Sequence, residues 1–185
     1  MGWDNQWWQE YNESGSPIGQ ALNGERAATG VLHGSSHVWI WRHRNDVVEI
    51  LLQRRARQKR TWPGLWDISA AGHMDYGETP LEAALRETTE ELGLALKQEE
   101  LKLLFVHRQY FVSEVDPVTI ENEFRFVYGI QLDAEIEFVM QPGEVDAVQW
   151  VNVAACKQMI ENGEIVPQGD AYFVPLFAQL ERMTK

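Results

Sequence analysis

The chain has 185 residues, of which 44% are hydrophobic and 24% are charged, a composition typical of one globular domain rather than a disordered or fibrous protein. Its 28 acidic residues outnumber its 16 basic residues, so the surface on balance repels nucleic acid and polyphosphates. No nucleic-acid partner is expected, and a phosphate-containing ligand would need a bridging cation or a local basic pocket.

The cysteine content and the hydropathy pattern bear on the compartment. Cys156 is the single cysteine, so no intramolecular disulfide can form and a reducing compartment is favoured. Residues 1–10 lack the basic start and the apolar core of a signal peptide. No stretch approaches the roughly 18 apolar residues that a membrane-spanning helix needs. These features predict a cytoplasmic protein without a signal peptide or a membrane anchor.

The N-terminal segment, residues 1–30, is predicted to be an extension that packs on one domain formed by residues 31–185. One short strand and its turns are expected within it. Trp3, Trp7 and Trp8 lie close together in this segment. Because indole rings bury well against protein surfaces, we expect them to dock on the domain or on a partner subunit rather than to stack on a ligand.

Strands are predicted first in the domain. Residues 38–41 and 47–52 are rich in β-branched and aromatic side chains and flank a polar turn, which predicts a β-hairpin. A short strand over residues 67–71 is expected to stop at Gly72. These strands lead into the segment that carries most of the functional information.

A helix with clear end signals follows. Thr79 precedes Pro80, and a hydroxyl N-cap followed by proline is a usual helix start. We expect the helix to run to about Leu92, where Gly93 can cap it. Its predicted inward stripe consists of Leu81, Leu85, Thr88 and Leu92.

The remaining elements alternate less regularly. Further strands are predicted over residues 101–112, 122–132 and 147–151, and further helices over residues 152–163 and 174–183. The order is therefore strands, one central helix, more strands and two terminal helices.

Acidic residues are concentrated on the central helix. Glu87, Glu90 and Glu91 lie three and four residues apart, so they are expected to converge on one helix face, opposite the apolar stripe. Close carboxylates repel one another, and their concentration indicates a site for a hard divalent metal. Arg86 can reach Glu78, which stands just before the helix, and orient it.

These residues form a recognisable pattern. Gly72 is followed after five residues by Glu78, and after seven more by Arg-Glu-x-x-Glu-Glu-x-Gly, which begins at Arg86. This pattern resembles the Nudix box of the diphosphate hydrolase family. One departure is Thr88, where the family usually has an aliphatic residue.

The resemblance implies an α/β fold, a Nudix α/β/α sandwich with a mixed β-sheet and a loop-helix-loop metal site. It implies that Mg2+, with Mn2+ as an alternative, is bound by Glu87, Glu90 and Glu91 with help from the Gly72 carbonyl. Glu90 is the first choice for the general base, and Glu144 is the alternative. The implied reaction is hydrolysis of the phosphoanhydride bond of a nucleoside diphosphate derivative or another organic diphosphate.

Resemblance beyond the box points to the branch that contains type I isopentenyl-diphosphate isomerase. Residues 51–66 are similar to the stretch with which that enzyme contacts a diphosphate. Gly72-His73 and Glu121-Asn122-Glu123 match its metal and acid motifs, and His33 falls where it has a metal-binding histidine. His73, Glu121 and Glu123 are thus candidates for positioning substrate or metal. The alternatives are a turn residue for His73 and surface acids at a strand end for the glutamates.

A basic run gives independent support for a diphosphate ligand. Five cations lie within residues 54–60 of a chain whose net charge is −12. Arg54, Arg55 and Lys59 are natural partners for phosphate oxygens. A solvated basic loop is the alternative interpretation.

Two departures from the isomerase count against isomerisation. The isomerase needs a cysteine before its Gly-His pair to exchange a proton on carbon, and this chain has Ala71 there. Arg26 stands where the isomerase has another metal histidine. Hydrolysis is therefore the favoured activity, and an isomerase or a non-catalytic diphosphate sensor are the alternatives. The expected partner is a small-molecule diphosphate, and a second copy of the chain, forming a homodimer, is a further candidate partner.

Overall fold

The computed structural model of the protein describes residues 6–22, 29–113 and 119–183. Trp3 and Arg26 lie outside these residues. The strands are β1 (Trp7–Tyr11), β2 (Pro17–Leu22), β3 (His33–Arg44), β4 (Val47–Arg55), β5 (Trp66–Asp67), β6 (Ala70–His73), β7 (Lys102–Ser113), β8 (Thr119–Gln131) and β9 (Val145–Asn152). The helices are α1 (Pro80–Leu92), α2 (Val153–Glu161) and α3 (Asp170–Met183), with a 3-10 turn at Gln98–Glu100.

The strands of the described residues form one mixed sheet centred on β3. Strand β3 runs parallel to β8 and antiparallel to β1, β4 and β6. Strand β4 continues the sheet through β5 and β9, and β7 pairs with β8. The predicted hairpin is therefore β3 with β4, and the predicted mixed sheet is confirmed.

Two cores lie on opposite faces of the sheet because successive strand residues point in opposite directions. Along β3, Val38 and Ile40 pack in the core that α1 covers, together with Ala84 and Leu92 of that helix. Trp39 packs on the other face in the core that α2 and α3 cover. Helices thus flank both faces of the sheet, as expected for an α/β/α sandwich.

Helix α1 has the predicted bounds. The Thr79 side chain and the Glu82 side chain form a reciprocal capping box, and Gly93 takes a left-handed conformation with φ of 67° at the C-cap. Thr88 is buried, as the predicted stripe requires, at the position where the family usually has an aliphatic residue. Its hydroxyl is satisfied by donating to the Ala84 carbonyl at 2.6 Å, which explains how a polar side chain is accommodated.

The predicted inward stripe of α1 is confirmed, because Thr88 and Leu92 are buried and Leu81 and Leu85 are half-buried against the same core as Leu92. Glu91 is buried as well, with 5% exposure. The expectation that all three box acids lie opposite the apolar face is therefore wrong for Glu91. The reason is that Gln53 Nε2 and the Ala71 N–H, which lie under the helix, donate hydrogen bonds to the Glu91 carboxylate.

The terminal elements also differ in detail. Helix α3 begins at Asp170, before the predicted start, because the N–H groups of Tyr172 and Phe173 each bond to the Gly169 carbonyl at 3.1 Å. Near the N-terminus the structure has a hairpin, β1 with β2, in place of one strand. None of the helices in the described part of the chain has the length and apolar character that crossing a bilayer requires.

Candidate active site

Arg86 is the centre of a network that joins α1 to the loop before it. Its Nε and Nη2 donate to the two Glu78 carboxylate oxygens at 2.8 and 2.9 Å, which confirms the predicted contact. Its Nη1 lies 2.6 Å from Glu87 and 3.3 Å from Glu90, and Nη2 also donates to the His73 carbonyl at 2.9 Å. Burial would lower the pKa of Arg86, but its interactions with Glu78 and Glu87 raise it. Arg86 is thus a permanent cation that orients several acids at once.

Gly72 in β6 lies directly against the Glu87 carboxylate. A Cβ atom at this position would overlap that carboxylate, so only glycine lets the strand and the acid approach so closely. Burial raises the pKa of Glu87, and the Arg86 guanidinium opposes that shift. Backbone carbonyl and carboxylate oxygens are the donors that Mg2+ prefers, so this contact fits the predicted metal site.

Glu91 is held beneath the helix. Its Oε2 accepts hydrogen bonds from Gln53 Nε2 and from the Ala71 N–H, each at 2.9 Å. Burial, reinforced by the negative charge of Glu87, raises the pKa of Glu91 to about 8. A nearby divalent cation would stabilise its charged form, which again fits a metal ligand.

The two candidates for the general base differ in environment. The Glu90 side chain is 48% exposed, so water can reach it. The Glu144 side chain is 16% exposed and forms an ion pair with Lys59. The turn that carries Glu144 is tied to α1 because the Gln141 N–H donates to the Glu91 carbonyl at 3.1 Å. The two candidates are thus linked through α1, and Glu90 is the more accessible of them.

The basic run divides into residues with different partners. The Arg55 guanidinium is committed to Asp67 at 2.9 Å and to Thr61 at 3.0 and 3.1 Å. Arg54 lies over the Trp66 ring, 5.7 Å from its centroid. Lys59 contacts Glu144, and its positive charge partly opposes the rise in the pKa of Glu91. Lys59 therefore faces the box acids. Of the three predicted phosphate ligands, Lys59 interacts with a box acid, Glu91, and Arg55 is the most engaged within the protein.

A second set of candidate ligands, here called the histidine cluster, lies where β3, β6 and β8 meet. His33, His73, Glu121 and Glu123 each offer one ligand atom, and these atoms lie within 4.8 Å of one another. Glu123 Oε2 lies 3.8 Å from His33 Nε2 and 4.0 Å from His73 Nε2. Imidazole nitrogens with carboxylate oxygens form a donor set for a transition metal. The structure therefore brings together residues that are distant in the sequence, since 88 positions separate His33 from Glu121.

Trp8 covers the histidine cluster. Its indole is 3% exposed and stacks on the His73 ring with a centroid distance of 3.7 Å and an interplanar angle of 14°. The centroid of the His33 ring is 5.1 Å away. Trp8 thus docks on the domain, as expected, while Trp7 of the same strand is 45% exposed.

Arg125 shares Glu123 with the cluster. Its Nε and Nη2 lie 2.7 and 2.5 Å from Glu123 Oε1, and its Nη1 donates to Gln168 at 2.5 Å. Burial would raise the pKa of Glu123, but Arg125 and the neighbouring histidines hold that pKa well below its usual range. Glu123 is therefore a lasting carboxylate, with one oxygen toward Arg125 and the other toward the histidines.

Sequence reasoning missed two of these residues. Arg125 stands two positions after Glu123 on the same strand, so the two-residue period of a strand was a signal for their contact. Gln53 had no such signal, because its contact with Glu91 depends on how β4 passes under α1.

Comparison with known proteins identifies the family of this chain. The family model described as the NUDIX domain matches residues 32–173. The chain belongs to the Nudix family. An uncharacterized Nudix hydrolase of Listeria innocua is 32% identical over 147 residues, which cover 79% of each chain. Nudix hydrolase 3 of Arabidopsis thaliana is 40% identical over 131 residues, or 69% of this chain, but this chain spans only 17% of that protein.

The expected branch is also confirmed. The Nudix chain is 33% identical over 153 residues to isopentenyl-diphosphate Delta-isomerase of Paenarthrobacter aurescens, covering 82% of this chain and 78% of that protein. Relatives of the protein thus include enzymes named for hydrolysis and enzymes named for isomerisation.

Solved structures support the Nudix fold. A protein of Deinococcus radiodurans superposes with a TM-score of 0.64 at 22% identity, covering 92% of this chain and 97% of that one. The NUDIX domain of Shewanella oneidensis NrtR, solved with ADP ribose, gives a TM-score of 0.59 at 15% identity, covering 82% and 88%. At these identities the likeness establishes the fold alone.

Proposed function

We propose that the protein hydrolyses the phosphoanhydride bond of an organic diphosphate with the help of Mg2+ or Mn2+. The observation that carries the proposal is the complete set of box acids around one backbone contact. Glu87 lies against Gly72, Glu91 is held beneath the helix, and Arg86 bonds to Glu87 and Glu90. Glu87, Glu90, Glu91 and the Gly72 carbonyl would hold the metal.

The residues of the chain divide the chemical work between them. A bound divalent metal neutralises charge on the diphosphate and lowers the pKa of an attacking water. Glu90 is the proposed base because its half-exposed carboxylate is open to water. Glu144 is the alternative base, and in this structure Lys59 occupies its carboxylate. Arg86 keeps the acids in place while the proton moves.

Binding of the substrate is assigned to the basic run and to the histidine cluster. Lys59 and Arg54 would hold phosphate oxygens that do not react, with Arg55 supporting the loop through Asp67. His73, Glu121 and Glu123 would position substrate or a second metal. Such a small-molecule diphosphate could carry a nucleoside or another organic group.

An isomerase is the second candidate, and the histidine cluster is the observation that favours it. Ala71 opposes it, because a methyl group cannot transfer a proton. Glu123, whose pKa is held low beside Arg125, can act as a base, but it does not supply the proton-exchanging group that Ala71 lacks. A non-catalytic sensor is a third candidate, and the intact set of box acids argues against it.

A substrate panel separates the three candidates. Nucleoside diphosphate derivatives, dinucleoside polyphosphates and prenyl diphosphates would be incubated with the protein and Mg2+ in D2O, and products identified by mass. We expect phosphoanhydride cleavage that needs the metal and is lost in Glu90→Gln. Deuterium on carbon without cleavage would instead identify an isomerase. Binding without any product across the panel would identify a sensor.

The cellular location and the oligomeric state of the protein are also proposals. Cys156 is free and buried, which is consistent with the proposed cytoplasmic location. A homodimer remains a proposal, and light scattering of the purified chain would test it.

A further inference from the structure

Gln53 is a buried residue beside the box acids that lies outside the box pattern. In β4 it pairs with Asp67 of β5 on one side and with Val148 of β9 on the other. Its side chain is 3% exposed, and its Nε2 donates to Glu91 Oε2 at 2.9 Å. An amide in the middle of a sheet is held by strands on both sides, so it offers a rigid donor to a residue of α1.

Two donors converge on the same oxygen of Glu91. The Ala71 N–H of β6 donates to Oε2 at 2.9 Å, as Gln53 does. Neither of these bonds uses Oε1. The terminal torsion of a glutamate has only broad preferences of its own, so two fixed donors on one oxygen determine how the carboxylate is turned. The arrangement leaves Oε1 available for a different ligand.

The carbonyl oxygen of the Gln53 side chain accepts no hydrogen bond from the described residues. This oxygen, Oε1, is buried, although buried carbonyl oxygens nearly always have a hydrogen-bond partner. This acceptor belongs to the side chain that holds a proposed metal ligand. Because Mg2+ usually keeps several of its waters when it binds to a protein, a metal-bound water would supply the missing donor.

We propose that Gln53 is a positioning residue of the metal centre. Its amide nitrogen turns Glu91 so that Oε1 is free for the metal, and its carbonyl accepts a hydrogen bond from a metal-bound water. Gln53 acts through Glu91 and contacts no reacting atom. The inference rests on the proposed function, because it requires the box acids to hold a divalent cation. Removing a partner of this kind typically weakens metal binding about 10- to 100-fold.

Mn2+ binding to the full chain tests the proposal without relying on turnover. Electron paramagnetic resonance of free Mn2+ would be used to titrate the unchanged protein and Gln53→Met, which keeps the length of the side chain but removes both polar atoms. We expect the Kd at the box site to rise about 10- to 100-fold. Gln179→Met is the matched control, because Gln179 is a half-buried glutamine of α3 whose Nε2 donates to the Leu104 carbonyl at 3.5 Å instead of to a box acid. Its Kd should stay within about 2-fold of the original.

A second variant is needed if circular dichroism shows that Gln53→Met is unfolded. Gln53→Asn keeps an amide but withdraws it by one methylene, and it should weaken Mn2+ binding by an intermediate factor. A double-mutant cycle then asks whether Gln53 acts through Glu91. In the Glu91→Gln background, Gln53→Met should add no more than about a 2-fold change, because the group it positions is already altered.

The outcomes separate this inference from the proposed function. Equal Mn2+ affinity in folded Gln53 variants would overturn the inference, and so would full additivity in the cycle. If the unchanged protein still cleaved a diphosphate in those cases, the proposed function would stand. If the unchanged protein bound Mn2+ no better than Glu91→Gln does, the inference would fall together with the proposed metal site.

Discussion

Replacing Arg86 by alanine tests the organisation of the site most directly. The guanidinium donates to both Glu78 oxygens, to Glu87, to Glu90 and to the His73 carbonyl. The side chains of Glu78 and Glu87 are only 14% and 13% exposed, so water cannot fully replace the lost partner. Arg86→Ala therefore leaves two poorly solvated carboxylates close together, without their cation.

The expected loss of stability follows from that geometry. Removing one partner of a buried ion pair costs about 3 to 5 kcal/mol. Because the Arg86 side chain is 24% exposed, water screens part of this interaction, and we expect a loss of about 2 to 3 kcal/mol. In a chain of this size each kcal/mol moves the Tm by about 2 to 4 °C, so the Tm should fall by about 4 to 12 °C.

Calorimetry and chemical denaturation of the metal-free protein would measure this loss. Arg44→Ala is the matched control, because Arg44 pairs with Glu135 at 3.5 Å on the surface, where the two side chains are 54% and 81% exposed. That pair should contribute less than about 1 kcal/mol. Arg86→Lys should behave more like Arg86→Ala than like the unchanged protein, since one ammonium cannot span the fork between Glu78 and Glu87. If Arg86→Ala lost no more stability than Arg44→Ala, the network would not be holding the site together.

Four further outcomes are expected. Glu90→Gln and Glu91→Gln should fold but lower kcat at least ~100-fold with Mg2+ in a phosphate-release assay. Folded Glu91, with a pKa of about 8, binds its proton more tightly than the unfolded chain does. The free energy of unfolding of the metal-free protein should therefore fall as pH rises from about 5 to about 8, and less so in Glu91→Gln. Ala71→Cys should form no dimethylallyl diphosphate from isopentenyl diphosphate by mass spectrometry, because isomerisation also needs a second proton-transfer group and a fitted pocket. Steady-state kinetics at low salt should show KM raised about 10- to 100-fold in Arg54→Ala and Lys59→Ala with kcat within a few-fold; an unchanged KM would reduce the basic run to a solvated loop.

The parts of the fold that were predictable are those encoded over short distances. Thr79, Pro80 and Gly93 mark the ends of α1, and the structure places these ends where the sequence predicted them. The contact of Arg86 with Glu78 also spans little of the chain, because the loop turns directly into the helix. Helical periodicity and end signals act within a few residues of one another, so they can be read without knowing the fold.

The contacts that escaped prediction join a strand to a helix or a loop that is distant in the sequence. Gln53 and Glu91 are separated by 38 positions, and Arg125 and Gln168 by 43. Their meeting depends on the order and register of strands in the sheet, which local patterns do not specify. Arg55 shows the same limit, because the basic run indicated a phosphate ligand while the pairing of β4 with β5 brings that residue to Asp67.

Strand β6 explains how the box acids and the histidine cluster can belong to one site. The N–H of Ala71 holds Glu91, Gly72 lies against Glu87, and His73 contributes its ring to the histidine cluster and its carbonyl to the Arg86 network. Three consecutive residues therefore contact both groups, so a displacement of this strand would alter the two groups together. The bond from position 71 to Glu91 uses the backbone, and it does not depend on the side chain there. A cysteine at position 71 would therefore add a thiol and leave the contacts of the box acids intact. The thiol would affect isomerisation, because it can exchange a proton, but it would not affect how the proposed hydrolytic site is assembled.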